Sequence, residues 1–147
     1  MITFKKFTSH DEERRYLLNE VKDFLKIEVE DLSIFHIYKF EKEELEDQIK
    51  DHIFDFRYGE LVELPDTAFV IKDNEGQYNQ IEDLTKKYVK NILNLDTDLR
   101  YAKAYEFKLA NSEDLEKIQN YLVNPVIQKI VSPDDMGFEY EISTDEE

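Results

Sequence analysis

The side chains in this sequence able to do chemistry are few, and their spacing decides what they can do. Imidazole moves protons near neutral pH and binds metals, and the chain has three histidines, His10, His36 and His52. They lie on separate segments, without the close second ligand that a metal site uses. His36 falls in phase with Leu32, Ile34, Tyr38 and Phe40 and reads as a core or interface histidine, and His52 flanks an apolar helical stripe. Carboxylate pairs occur at Glu43-Glu44, Asp134-Asp135 and Glu146-Glu147. Paired acids do general acid–base work only inside a pocket; with 35 acidic residues these pairs read as solvated. Cysteine is absent, which removes disulfides, thiolate metal sites and a thiol nucleophile. Gly59, Gly76 and Gly137 stand far apart, so neither a phosphate loop nor a dinucleotide fingerprint forms, and no serine sits in a glycine elbow. The residues point to a binding or structural module. No catalytic residue, metal or cofactor is expected.

The elements that would position these residues follow from periodicity. At 147 residues the chain is long enough for one domain with a real core. Its ten Phe and nine Tyr recur periodically and argue against disorder despite a net charge of −16. That charge repels phosphate backbones, so no nucleic acid is expected as partner. No apolar run reaches membrane-helix length and the N-terminus lacks a secretory pattern, so a soluble, cytoplasmic protein without membrane attachment is expected.

Residues 1–8 alternate as a strand, and Ser9 is the expected N-cap of a helix carrying Leu17, Leu18, Val21, Phe24 and Leu25 inward. Leu32 to Phe40 reads as a strand, Glu43 to Phe54 as a helix and Tyr58 to Glu63 as a short strand, with Pro65 as the break. The order then repeats. Ala68–Ile71 is a strand; Gln80–Leu95 is a helix expected to bury Leu84, Tyr88, Val89, Ile92 and Leu93; Tyr101–Leu109 is a strand. Asn111-Ser112 caps a helix, and Val126–Val131 closes the series.

Letters agree as well as pattern. Val21–Ile27 aligns with Val89–Leu95, Tyr38-Lys39-Phe40 with Tyr105-Glu106-Phe107, and Leu61-Val62 with Ile130-Val131. Two β-α-β-α-β repeats are therefore expected, over residues 1–65 and 66–133, with an acidic tail at 134–147. The expected fold is α+β, an antiparallel or mixed sheet covered by four helices. Each unit has open strand edges, so a pseudo-twofold arrangement that imitates a homodimer is expected.

Several segments, taken in order, resemble one family. The strand Ile2–Lys6 with the helix, strand and helix that follow resembles the N-terminal region of large, single-chain phosphoribosylformylglycinamidine (FGAM) synthase. Gly76-Gln77-Tyr78-Asn79-Gln80 resembles that family's Gly-Gln-Tyr/Phe-Asp-Gln stretch, which likewise opens a helix after an apolar strand; the likeness frays at Ile81-Glu82. Glu113 to Val126, ending in Asn-Pro-Val, is similar to the family's closing segment. The resemblance implies a tandem counterpart of the enzyme's small subunit, which dimerises where it is a separate chain. It also implies a non-catalytic assembly role in purine biosynthesis, bridging the synthetase and glutaminase parts in cis or in trans. Gly76, Gln77, Tyr78, Asn79 and Gln80 are the candidate partner-contact loop. Two alternatives from the residues alone are a stand-alone small-molecule-binding domain and a protein–protein adaptor with no purine link.

Overall fold

A computed structural model describes residues 1–135. The acidic pair Glu146-Glu147, Gly137 and most of the expected tail lie outside the described residues. The strands are β1 (Ile2–Lys6), β2 (Val29–Phe40), β3 (Gly59–Leu61), β4 (Phe69–Asp73), β5 (Leu99–Leu109) and β6 (Gln128–Val131). The helices are α1 (Glu12–Asp23), α2 (Glu46–Ile53), α3 (Gln80–Leu93) and α4 (Leu115–Leu122). Short 3-10 turns lead into α1, α2 and α4. The fold is α+β, as the pattern predicts: the strands of the described residues form one sheet in the order β3-β1-β2-β5-β4-β6. Its recorded pairings are all antiparallel, which decides between the antiparallel and mixed alternatives.

Each half has the same internal strand order, β3-β1-β2 and β6-β4-β5, and the long strands β2 and β5 join the halves at the centre. Their register runs from Leu32 opposite Phe107 to Phe40 opposite Leu99. The displacement that carries Tyr38 onto Tyr105 also carries His36 onto Lys103, and these two face each other across the central pair. The local two-fold relating the central strands therefore passes between His36 and Lys103.

Strand alternation sorts side chains onto two faces. Leu32, Ile34 and Phe40 of β2 face the helices. Above them α1 packs with α4 through Leu17, Val21 and Ile118, and α2 packs with α3 through Ile49 and Val89. Phe35 and Ile37 point to the other face, with Val70, Ala102 and Ala104. Among the described residues no helix covers that face. The link from β3 to β4 lies on it, placing Val62, Leu64 and Ala68 against these residues. Its path starts with a hydrogen bond from Val62 N–H to the Thr3 carbonyl (3.0 Å).

Helix ends correspond in detail. Asp11 caps α1 by accepting from Arg14 N–H, and Asn79 caps α3 by accepting from Glu82 N–H, each at 3.0 Å. The expected cap Ser9 instead lies in a 3-10 turn; the chain needs that extra turn before α1 begins, and Asp11 then meets the free N–H groups. Past their C-termini, Lys26 and Asn94 adopt left-handed φ of 59° and 56°, which turns each chain back toward the sheet. Several expected core positions are corrected. Phe24 on α1 and Leu84, Tyr88 and Ile92 on α3 are exposed, with Ile92 at 63%. Each of these helices lies beside one partner helix on an open sheet, so only a narrow stripe is covered, and Val21 and Val89 hold it.

Candidate functional site

The expected contact loop follows β4 directly. Asn74 and Glu75 lead to Gly76, whose φ of 89° suits glycine at the corner. The turn closes by Gln77 N–H donating to the Asn74 carbonyl (3.1 Å). Gly76, Gln77, Tyr78 and Gln80 are exposed. Tyr78 lies outward, its hydroxyl donating to Asp83 (3.1 Å). The loop is braced from the sheet by Arg100, which donates to Glu75 at 3.0 Å, and by Glu82, which accepts from Tyr101 N–H at 2.9 Å. Burial raises the Glu82 carboxyl above its usual range, and the Tyr101 N–H and Arg100 oppose that rise.

Asn79 differs from the rest of the loop: it turns inward. Its Nδ2 donates to Asp73 Oδ2 (2.9 Å), and from the far side Gln128 Nε2 donates to Asp73 Oδ1 (3.3 Å). Each amide is anchored at its oxygen, Asn79 by Glu82 N–H and Gln128 by Asn124 N–H, both at 3.0 Å. The Asp73 carboxylate is thus held by two oriented neutral donors. It borders a cavity of about 220 Å³ whose other polar lining is Tyr101, Lys103 and Tyr105, with Ile71 and Leu122 as apolar wall. Lys103 Nζ donates to Glu13 of α1. Burial raises the phenol pKa of both Tyr101 and Tyr105, keeping them neutral donors.

Sequence reasoning found one member of this group, Asn79, and assigned it outward with the loop. Asp73, Tyr101, Lys103, Tyr105 and Gln128 were missed. A signal was present: Lys103 interrupts Tyr101-Ala102-Lys103-Ala104-Tyr105 on the same face as the tyrosines. A lysine there needs a polar opening or a partner.

The histidines remain apart. His10 meets the Tyr58 ring edge-on at 5.1 Å, and His52 is exposed on α2. His36 is half-buried at the centre of the sheet, on the face its phase predicts; its Nδ1 is 2.6 Å from the Tyr101 hydroxyl, while Nε2 is buried with no hydrogen-bond partner among the described residues. Burial lowers its pKa and keeps the ring neutral. Among the described residues no group of His, Asp and Glu converges to hold a metal, and no helix is long and apolar enough to cross a membrane. Compared with known proteins, the chain matches no family model and no curated relative.

Proposed function

We propose that this chain is the small-subunit-like bridging module of an FGAM synthase, non-catalytic by itself and acting in the cytoplasm. In this reading it arose by duplication of one β-α-β-α-β unit and holds the synthetase and glutaminase parts together. The ordered likeness from Ile2–Lys6 to Asn124-Pro125-Val126 gives the reading its content. The observation that carries it is the repeated strand order, β3-β1-β2 and β6-β4-β5, around one central strand pair. A fused dimer of small subunits requires that symmetry.

A bridging role also needs surface to dock against. Leu84, Tyr88 and Ile92 expose one apolar stripe along α3, and Tyr16 and Phe24 lie open on α1. Apolar groups gathered on an outer helix serve interfaces better than isolated exposure does. The candidate loop Gly76–Gln80 opens the same α3 helix, so a partner resting on that stripe would reach it.

Reconstitution tests the proposal. The FGAM synthase of the source cells is assayed for glutamine-dependent product formation with this module, without it, and with a Leu84→Asp/Tyr88→Asp variant. Glutamine-dependent turnover is expected to fall when the module is absent, and to fall with the variant while ammonia-dependent turnover persists. Full glutamine-dependent activity without the module overturns the assignment.

A further inference from the structure

The two halves treat one position in opposite ways. In the first half the space between sheet and helix ends is filled. Phe4 stacks on Phe54 with ring centres 4.7 Å apart, Phe56 closes edge-on, and Tyr38 meets Phe54 at 5.2 Å. Gly59 makes this fit possible, since a Cβ there would collide with the Phe4 ring and the Lys5 carbonyl. In the second half the matching strand positions carry Ile71 for Phe4 and Gln128 for Gly59, by the same pairing between first and third strands. The smaller side chain leaves the cavity open, and Gln128 reaches across to Asp73. The fold does not require this opening; the residues of the second half create it.

Its two charged groups are spaced for one small molecule. Ile71 lies opposite Lys103, and Asp73 follows two residues along on the same face. Such diagonal neighbours stand roughly 7–8 Å apart. Asp73 is hydrogen-bonded by two amides but not neutralised by them, so its remaining lone pairs suit a cationic donor. Lys103 spends one ammonium hydrogen on Glu13, and the Tyr105 phenol lines the cavity beside it. A cavity of about 220 Å³ is of a size for a small polar molecule such as a free amino acid.

We propose that this cavity binds a small zwitterion, a free amino acid, with its ammonium on Asp73, its carboxylate on Lys103 and Tyr105, and its side chain against Ile71 and Leu122. A simple anion would be opposed by Asp73 and by the chain's net charge of −16. A simple cation would meet Lys103. Lys103 keeps two ammonium hydrogens beyond its bond to Glu13, so a ligand carrying both charges pairs with both ends. The site stands whether or not the chain serves an FGAM synthase.

Calorimetry on the full chain tests it, using each common L-amino acid, with 1,4-diaminobutane as the amine-only probe and succinate as the carboxylate-only probe. At least one amino acid is expected to bind saturably with one site per chain, and neither control probe to match it. Asp73→Asn, which keeps the shape and removes the charge, and Lys103→Gln should each weaken binding about tenfold or more, as loss of a paired charge does. An Ile71→Phe/Gln128→Gly variant, which installs the first half's filling, should abolish binding. If that variant fails to fold, the isosteric Asp73→Asn decides alone. No saturable amino-acid binding, equal binding of either control probe, or unchanged affinity in Asp73→Asn overturns the proposal.

Discussion

Residues 54–59 and 123–128 are the same turn built from different residues. In each, a side-chain oxygen accepts from the N–H two residues on, Asp55 from Arg57 and Asn124 from Val126. In each, the turn's next-to-last carbonyl receives a bond from the chain leaving the first strand, Phe7 N–H to Tyr58 O at 2.9 Å and Asn74 N–H to Ile127 O at 2.8 Å. The backbone is shared and the filling is not. Phe54, Phe56 and Phe4 make the first version a packed aromatic cluster; Val123, Pro125 and Ile71 leave the second with a polar cavity. A hydrogen-bonded turn can therefore be held constant while side-chain volume beside it decides whether the site is core or pocket.

The deepest equivalence should be the costliest to break. Ile49 on α2 and Ile118 on α4 hold matching positions, both fully buried. Truncating either to Ala is expected to cost about 2–5 kcal/mol in denaturant melts, with the two costs similar. A loss below 1 kcal/mol at one site only would show that the helices are not equivalent supports. Next comes the position where the halves differ. Gly59→Ala should cost about 3 kcal/mol, because its Cβ meets both the Phe4 ring and the Lys5 carbonyl. Gln128→Ala, at the matching strand position, should cost about 1 kcal/mol or less by losing a partly exposed hydrogen bond. Equal costs would erase the contrast.

The caps sharpen the comparison further. Asp11→Ala and Asn79→Ala should each cost about 1 kcal/mol, the usual loss of an N-cap. Only the second also removes one of the two amides that hold Asp73, so it should weaken any ligand held there while Asp11→Ala leaves it unchanged. The smallest effect is electrostatic and lies at the junction. His36 is kept neutral mainly by burial; Glu13 and Asp11 pull its pKa up, and Lys103 and Lys6 push it down. The unfolded chain takes up the proton first, near its ordinary pKa of about 6.5. Stability from this group is therefore present above that pH and is lost as pH falls below it. His36→Gln should give a flatter stability profile between neutral pH and mild acid. An unchanged slope would place the titration elsewhere.

Much of the fold is legible in the letters because it rests on local periodicity. Leu32, Ile34 and Phe40 recur at the period of two within a β-branched and aromatic run, and Val21 and Val89 repeat in matching helical contexts, so strands, helices and their order can be read. What cannot be read is how wide a stripe each helix buries. Leu84, Tyr88 and Ile92 have helical spacing suitable for a core, yet α3 packs on the sheet beside α2 through a narrow stripe around Val89, and they stay outside. The site was legible at one residue. Asn79 is visible as a cap beside a glycine turn, but Asp73 and Gln128 approach across a strand pair more than fifty residues apart in sequence.

By itself, the sequence determined the α+β class, the order of elements and the absence of cysteine chemistry, because composition and hydrophobic period act within a few residues. Tertiary structure decided the rest. It set the register that puts His36 opposite Lys103, chose antiparallel pairing among the described strands, laid the link over the face opposite the four helices, and left a cavity where Ile71 stands in the place of Phe4. These depend on which surfaces meet across long loops, and packing volume at such meetings is a property of pairs and triples of side chains.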